Sequence, residues 1–301
     1  YLTIEDFKWV YFILFACIPL SIEYSIPGGP GTDLPTEPLM LWLSAVTVLY
    51  IALYPKALSK RFLIHPLSIL IYAHLAWIFI TSMSSDMPVV SWKFFLAKGW
   101  YLITFFFLPA IVLKERRNLK RLILFLAVPL SLIVIVVFIR HAMHDFAFAE
   151  INAVLGPTFR NHVNYSFVLA ITVLFLGYIF WNRKQRGAAV SGLGALILFL
   201  LAAVYFSYTR AAMIGLFLCI PAALIIHFRW MRYALAVALI TVILGVTWLV
   251  NDAQYIKYAP NYEQTIAHKE FDNLISATYQ GEDVSTMERV HRWVAGYHMT
   301  I

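Results

Sequence analysis

The amino-acid sequence predicts an all-α, polytopic membrane helix bundle, and its composition is the first reason. Of the 301 residues, 61% are hydrophobic and only 13% are charged, whereas about 25% of the residues in soluble domains are charged. The mean hydropathy of +0.76 agrees with this excess of apolar side chains. We therefore expect most of the chain to lie in a lipid bilayer.

Nine long apolar segments, separated by short polar breaks, are the second reason. Each has roughly the 20 residues that an α-helix needs to cross a bilayer. They are too long and too continuously apolar for barrel strands, and a helix satisfies its own backbone hydrogen bonds inside lipid. The segments fall near residues 9–25, 37–54, 66–84, 92–113, 119–139, 164–181, 188–206, 211–227 and 233–250.

The distribution of positive charge predicts the orientation of these spans. Thirteen lysines and arginines lie in four alternate connections, at 54–65, 114–121, 182–187 and 228–232. By the positive-inside rule these connections are cytoplasmic. The connection at 26–36, on the opposite side, has no Lys or Arg. We therefore expect the amino terminus inside and residues 251–301 outside.

The net charge of +7 is largely explained by these loops, so it is no argument for a nucleic-acid partner, which we exclude.

Cys17 and Cys219 lie inside predicted spans, where they are expected to pack as small apolar side chains. His141, His144 and Asp145 could ligate a metal from one helix, but no second set of ligands accompanies them. The sequence has no phosphate-binding loop, dinucleotide fingerprint, nucleophile elbow or zinc-protease helix, so we expect no cofactor.

Arg210, in Ser207-Tyr208-Thr209-Arg210-Ala211-Ala212, is the most informative single residue. It lies in a short connection between the seventh and eighth spans, on the side that should lack positive charge. Its guanidinium must lie near the membrane surface, either snorkelling outward as an anchor or aimed into the bundle. The small residues that follow, including Gly215, allow close approach of helices. This favours a crevice in which the planar guanidinium binds a diphosphate or an anionic sugar.

Further candidate residues lie on the same side of the predicted membrane. Lys98 is about six residues into the fourth span, where an ammonium is either a deep site residue or a helix-end snorkel. In Arg160-Asn161-His162 all three side chains donate hydrogen bonds, so this segment predicts a polar rim over a phosphate or sugar.

Residues 251–301 switch to a polar and aromatic composition, which predicts an extramembrane segment rather than a tenth span. The chain is thus divided into a helical bundle at 1–250 and the start of a large outer loop at 251–301. Helical spacing places Arg289, Arg292 and Trp293 on one face near its end. That face suits either an amphipathic interfacial helix or a surface for phosphates and sugar rings.

Three motifs support a family resemblance: Ser-x-Thr-Arg-Ala-Ala at 207–212, Phe-Arg-Asn-His-Val-Asn-Tyr at 159–165, and Glu288-Arg289 shortly before Trp293. Together they resemble the O-antigen ligase and polymerase family. The resemblance implies a metal-independent, inverting glycosyltransferase of the bacterial inner membrane, with a large periplasmic loop after the ninth span. Its donor would be a glycan on undecaprenyl diphosphate. Its acceptor would be lipid A-core in a ligase, or another carrier-linked glycan in a polymerase.

The resemblance also implies roles for individual residues. Arg210 and Arg289 match the motif arginines of the family, and we expect them to bind the donor diphosphate at the catalytic centre. The wider substrate-binding set is expected to comprise Lys98, Arg160, His162, Arg292 and Trp293. The family's candidate base is a histidine after the Arg-x-x-x-Trp segment, so we expect the sequence to be part of a longer polypeptide and inactive alone.

Two alternatives remain compatible with the sequence. A protein O-oligosaccharyltransferase would use the same donor and differ only in its acceptor. A transporter or flippase for a lipid-linked or anionic solute would also place cations along a membrane crevice. Such a transporter should carry polar residues near mid-membrane or paired broken helices, whereas the cations here cluster at one end of the spans and His74 is the main mid-span polar residue.

Overall fold

The computed structural model describes residues 7–25, 31–182, 187–251 and 284–300. Helices dominate this part of the chain, which confirms the all-α polytopic fold. In chain order the elements are α1 Phe7–Cys17, β1 Ile22–Ser25, β2 Gly31–Leu34, α2 Thr36–Leu53, α3 Lys60–Leu63, α4 Pro66–Met83, α5 Pro88–Leu102, α6 Leu108–Val112, α7 Arg116–Ala142, α8 Ile151–Leu155, α9 His162–Trp181, α10 Ala188–Phe206, α11 Arg210–His227, α12 Met231–Val250 and α13 Val284–Thr300.

Each of the nine predicted apolar segments overlaps helix in the structure. Among the described residues, seven helical stretches are long and apolar enough to cross a membrane. The stretches at the first and seventh predicted spans, Phe7–Leu20 and Val190–Phe206, are shorter. The chain is thus a multi-pass membrane protein, while the exact number of crossings stays a prediction.

The predicted first span, at 9–25, extends too far. The helical backbone ends at Leu20, in a 3₁₀ turn that contains Pro19. The chain then becomes extended and forms strand β1, which pairs with β2 in an antiparallel hairpin. Pro19 and the charged Glu23 explain why the helix does not continue, since a proline cannot donate to the preceding turn.

Two hydrophobic clusters hold the bundle together, and the long helix α7 belongs to both. The first cluster joins α1, α2, α6 and the first part of α7, around the fully buried Leu14, Leu43 and Leu108. The second joins the rest of α7 to α8, α9 and α10, around Leu130 and Leu169. Because both clusters share α7, the two groups of helices are fixed relative to each other by side-chain packing.

The segment Ile103–Phe107, between α5 and α6, is π-helical. Pro109 has no N–H to donate to the carbonyl of Phe105, so the wider turn accommodates its ring. The hydroxyl groups of Ser44 and the buried Thr104 lie 3.1 Å apart and connect this segment to α2. Wide turns of this kind frequently occur beside functional sites.

The connections alternate between two ends of the bundle, as the sequence predicts. At the basic end, Lys114 Nζ donates a hydrogen bond to Ala57 O at 2.8 Å. At the other end, which we name the cavity end, Arg160 lies against Glu23 and the Tyr208 hydroxyl donates a hydrogen bond to Phe146 O. The side of the membrane that each end faces stays a prediction.

Replacement of a packed leucine in α7 tests the importance of the shared helix. Leu130 is 0% exposed, whereas Leu132 on the same helix is 61% exposed. Leu130→Ala leaves a cavity in the second cluster and should lower the free energy of unfolding by about 2 kcal/mol or more. Leu132→Ala should change it little. Thermal unfolding of both purified variants in detergent measures the difference, and equal losses would contradict the packing described.

Candidate functional site

The turn at 207–210 joins α10 to α11 at the cavity end. Ser207 is fully buried, and its Oγ donates a 2.6 Å hydrogen bond to Val204 O at the end of α10. Tyr208 has a φ of 55°, the left-handed conformation that commonly follows a helix. The Tyr208 hydroxyl donates a hydrogen bond to Phe146 O, and burial raises the pKa of this phenol. The turn is therefore fixed by both backbone and side-chain contacts.

Thr209 ties the start of α11 to the start of α9. It is the N-cap residue of α11, and it is only 6% exposed. Its Oγ1 lies 3.3 Å from His162 O, to which it donates a hydrogen bond shared with Ser207 O. Because His162 is the first residue of α9, the beginnings of the two helices lie side by side.

Arg210 is the first residue of α11 and is half-buried. The N-terminus of a helix carries partial positive charge, so a guanidinium at this position adds to an existing positive field. The start of α9, which Asn161 caps by accepting a hydrogen bond from Asn164 N at 2.9 Å, contributes a second helix N-terminus. Two helix N-termini and a guanidinium together provide a site suited to an anion.

His162 is oriented by Asn152, which lies on α8. Asn152 Oδ1 accepts a hydrogen bond from the backbone N of His162 at 2.9 Å and lies 3.0 Å from its Nδ1. Since this oxygen is an acceptor, Nδ1 carries the proton and Nε2 is left as the acceptor of the neutral ring. The histidine is thus arranged to accept a hydrogen bond from a hydroxyl group.

His141 supports the same region from α7. It is 2% exposed, and its Nε2 lies 3.1 Å from Ala147 O. The ring also packs edge-on against Phe146 and Tyr208. Through these contacts, His141 holds residues 143–148 against the turn that positions Arg210. Among the described residues, no group of three or more His, Cys, Asp or Glu is arranged to hold a metal ion.

A cavity of about 550 Å³ lies beside the start of α9. It is bounded by the β1–β2 hairpin, the first turns of α2, the end of α5 with the π-helical segment, and residues 157–164. Its polar lining comprises Ser21, Glu23, Asp33, Thr36, Glu37, Tyr101, Thr158, Arg160 and Asn164. Of the site residues predicted from the sequence, only Arg160 lines this cavity.

The hairpin turns one face toward the cavity. Successive side chains of a strand alternate between faces, and the cavity is lined by Ser21, Glu23, Gly31 and Asp33. Glu23 is paired directly with Asp33 across the two strands. A Cβ added at Gly31 would lie 3.1 Å from Glu23 Oε1, so the absence of a side chain there leaves room for the carboxylate.

The cavity carries more negative than positive charge. Arg160 Nη1 lies 3.7 Å from Glu23 Oε1, and Thr32 Oγ1 donates a 2.7 Å hydrogen bond to Glu37 Oε2. The pKa of Asp33 is raised, first by the cavity wall that displaces part of its water and then by the charges of Glu37 and Glu23. Arg160 lowers the same pKa, but by less than these effects raise it.

The predicted site residues are therefore distributed over several places. Arg210 and His162 flank the joined helix starts, while Arg160 faces the hairpin. Lys98 is half-buried with its Nζ 5.6 Å from the ring centroid of Phe94. Its spacing of three residues from Tyr101 puts both on one face of α5, so Lys98 lies one turn from the cavity lining.

Arg289, Arg292 and Trp293 lie on α13, which contacts α12. All three side chains are exposed, whereas Val290 and Val294 are buried. The predicted grouping of the two arginines and the tryptophan on one face is consistent with this pattern. Most of the predicted outer loop, at 252–283, lies outside the described residues, and the roles of the α13 side chains stay predictions.

Sequence reasoning missed the contribution of Glu23, Asp33, Glu37 and Tyr101 to the cavity. A signal for Asp33 and Glu37 is present in the acidic, lysine-free connection before α2. Tyr208 and His141 were also missed as positioning residues, because their partners lie in another connection.

Thr209 provides a test of the joined helix starts. Thr209→Val removes the hydroxyl that bonds to His162 O at nearly constant volume, so the free energy of unfolding should fall by about 1 kcal/mol. Thr209→Ser keeps the hydroxyl and should retain most of that stability. Thermal unfolding in detergent measures both variants. An equal loss in the two would show that the hydroxyl does not join the helices.

We expect the stability of the folded protein to depend on pH through Asp33. The pKa of Asp33 is higher in the folded protein than in the unfolded chain, so the folded protein holds this proton more tightly. The resulting contribution to the free energy of unfolding is lost as the pH rises from 3.8 through the raised pKa. Asp33→Asn cannot ionise, so it should unfold at a higher temperature than the parent at pH 7 and at the same temperature below pH 3.8. Asp86→Asn, in another connection at the cavity end, is the matched control. A destabilised Asp33→Asn at pH 7 would contradict the charge balance described.

Comparison with known proteins agrees with the family resemblance. Residues 195–301 match the family model described as O-antigen ligase. Two of the three motifs, at 207–212 and 288–293, lie within this match, whereas 159–165 precedes it. No curated protein and no solved structure matches the chain. Residues 195–301 of the chain are therefore similar to the O-antigen ligase family.

Proposed function

We propose that the protein is an O-antigen ligase-type glycosyltransferase of the bacterial inner membrane. It moves a glycan from undecaprenyl diphosphate to lipid A-core at the periplasmic face. The observation that carries this proposal is the position of Arg210, at the first residue of α11 and beside the start of α9. This position lies inside the O-antigen ligase match.

The reaction places specific demands on the site. A hydroxyl group of the acceptor attacks the anomeric carbon of the donor and passes its proton to a base, the bond to the diphosphate breaks, and negative charge accumulates on the departing diphosphate. A guanidinium and two helix N-termini stabilise that charge without rearrangement, because their positive ends are already oriented. This arrangement provides charge compensation from the protein itself, and a single displacement of this kind inverts the anomeric configuration.

The other predicted residues take supporting roles in this proposal. His162, with Nε2 as its acceptor, binds a hydroxyl group near the diphosphate. Arg289 adds a second guanidinium to the diphosphate, and Arg292 and Trp293 on the same face of α13 contact the glycan. Lys98 contacts the substrate from α5. Arg160 lies in the cavity wall beside Glu23 and contacts the substrate from there.

Substitution of Arg210 tests the proposed role. Arg210→Ala should lower transfer from an undecaprenyl-diphosphate glycan by about 100-fold or more, the loss usual for one preorganised donor to a developing anion. Arg210→Lys keeps the charge but loses bidentate contact, and should recover only part of the rate. The products are measured by mass, with the full-length polypeptide in detergent and lipid A-core as acceptor.

Arg232→Ala is the matched control, since Arg232 lies at the start of α12 at the basic end and contacts Tyr233. It should transfer glycan at the parental rate. Normal transfer by Arg210→Ala would exclude Arg210 from the site. Formation of longer carrier-linked glycan, with none on lipid A-core, would instead identify a polymerase with the same donor chemistry.

A further inference from the structure

The cavity beside α9 combines aromatic rings with hydrogen-bonding groups of both kinds. Tyr101 and Phe105 are stacked, with ring centroids 6.1 Å apart and an angle of 22° between their planes, and both line the cavity. Around them lie hydroxyl, amide and carboxylate groups that can donate or accept hydrogen bonds. A volume of about 550 Å³ is within the range of small-ligand sites.

The charges of this cavity disfavour a phosphate. Among the described residues that line the cavity, Glu23, Asp33 and Glu37 accompany one guanidinium, that of Arg160, which lies against Glu23. The raised pKa of Asp33 results partly from the same accumulation of negative charge. An anion in the cavity would be repelled by at least two carboxylates, whereas a neutral or cationic ligand would not. The cavity is therefore distinct in its chemistry from the positive site at Arg210.

We propose that the cavity is a glycan subsite that binds an uncharged or amine-bearing sugar ring, and this inference rests on the proposed transferase function. The apolar face of the ring packs on Tyr101 or Phe105, as aromatic side chains present a large, flat apolar surface. Hydroxyl groups of the sugar donate to Asp33 and Glu37, and an amino group forms charge-assisted hydrogen bonds with the same carboxylates.

The position of the cavity connects it to the reaction. Arg160 and Asn164 line the cavity and flank the first residue of α9. The carbonyl of that residue, His162, accepts the hydrogen bond from Thr209, which directly precedes Arg210. The subsite and the anion site thus both lie beside one helix start. A glycan held in the cavity extends toward the position at which the diphosphate departs.

Direct binding of simple sugars tests the subsite without requiring turnover. Saturation-transfer NMR on the purified protein in nanodiscs would compare methyl glucoside, methyl glucosaminide with a free amine, and methyl glucuronide. The glucosaminide signal should exceed the glucuronide signal by about threefold or more, because only the former gains charge-assisted contacts. A glucuronide signal equal to or above the glucosaminide signal would overturn the proposal.

Variants locate this binding. Asp33→Asn and Glu37→Gln keep the shape of the cavity but remove its charge, so both should abolish the preference for the amine. Asp86→Asn, outside the cavity, should leave the preference unchanged. Tyr101→Ala should weaken all three signals through loss of the stacking surface. A parental preference in Asp33→Asn and Glu37→Gln would overturn the subsite, provided that thermal unfolding shows both variants to be folded.

Kinetics then identify the glycan that occupies the subsite. If the acceptor binds there, Glu37→Gln should raise the acceptor KM by about 3- to 10-fold, the loss expected for one or two hydrogen bonds. If the donor glycan binds there, the donor KM should rise instead. An unchanged KM for both would refute the subsite even if transfer is observed. Sugar binding that depends on Asp33, in a protein without transfer activity, would support the subsite and refute the transferase function.

Discussion

The hydrogen bond from Thr209 Oγ1 to His162 O is the contact on which the candidate site depends. It joins the first turns of α9 and α11, which belong to different parts of the sequence. The second hydrophobic cluster packs α7, α9 and α10 together and so brings these two starts to the same level. The hydroxyl then fixes their separation. Arg210 follows directly in the chain, so this contact fixes the backbone from which its guanidinium extends.

Two opposite electrostatic environments lie beside the same helix start. In one environment, the N-termini of α9 and α11 and the guanidinium of Arg210 favour an anion. In the other environment, the hairpin presents Glu23 and Asp33, and Arg160 is held against Glu23 at 3.7 Å. Because like charges repel strongly where water is partly excluded, the proposed diphosphate is disfavoured in the cavity, whereas a neutral sugar is not. Such a division orients a molecule that carries a charged group at one end and a glycan at the other.

Much of the fold follows from local sequence, whereas the cavity does not. A span needs only about 20 apolar residues, so the nine segments and the position of Arg210 between two of them are visible in the sequence. The hairpin is harder to predict because β1 has only four residues and overlaps the predicted first span. The pairing of Glu23 with Asp33, and the approach of Arg160, depend on strand register and on contacts between distant connections. No periodic pattern in a single sequence encodes these contacts.

The Ser-x-Thr-Arg motif has a structural explanation for each of its positions. Ser207 ends α10, Tyr208 takes the left-handed conformation that reverses the chain, and Thr209 begins α11. Arg210 alone opposes the stability of the helix, since a cation in the first turn is unfavourable by roughly 0.3–1 kcal/mol. An anion bound at the same place converts this unfavourable term into a favourable one. The first three residues therefore build the turn, and the fourth gives it a preference for negative charge.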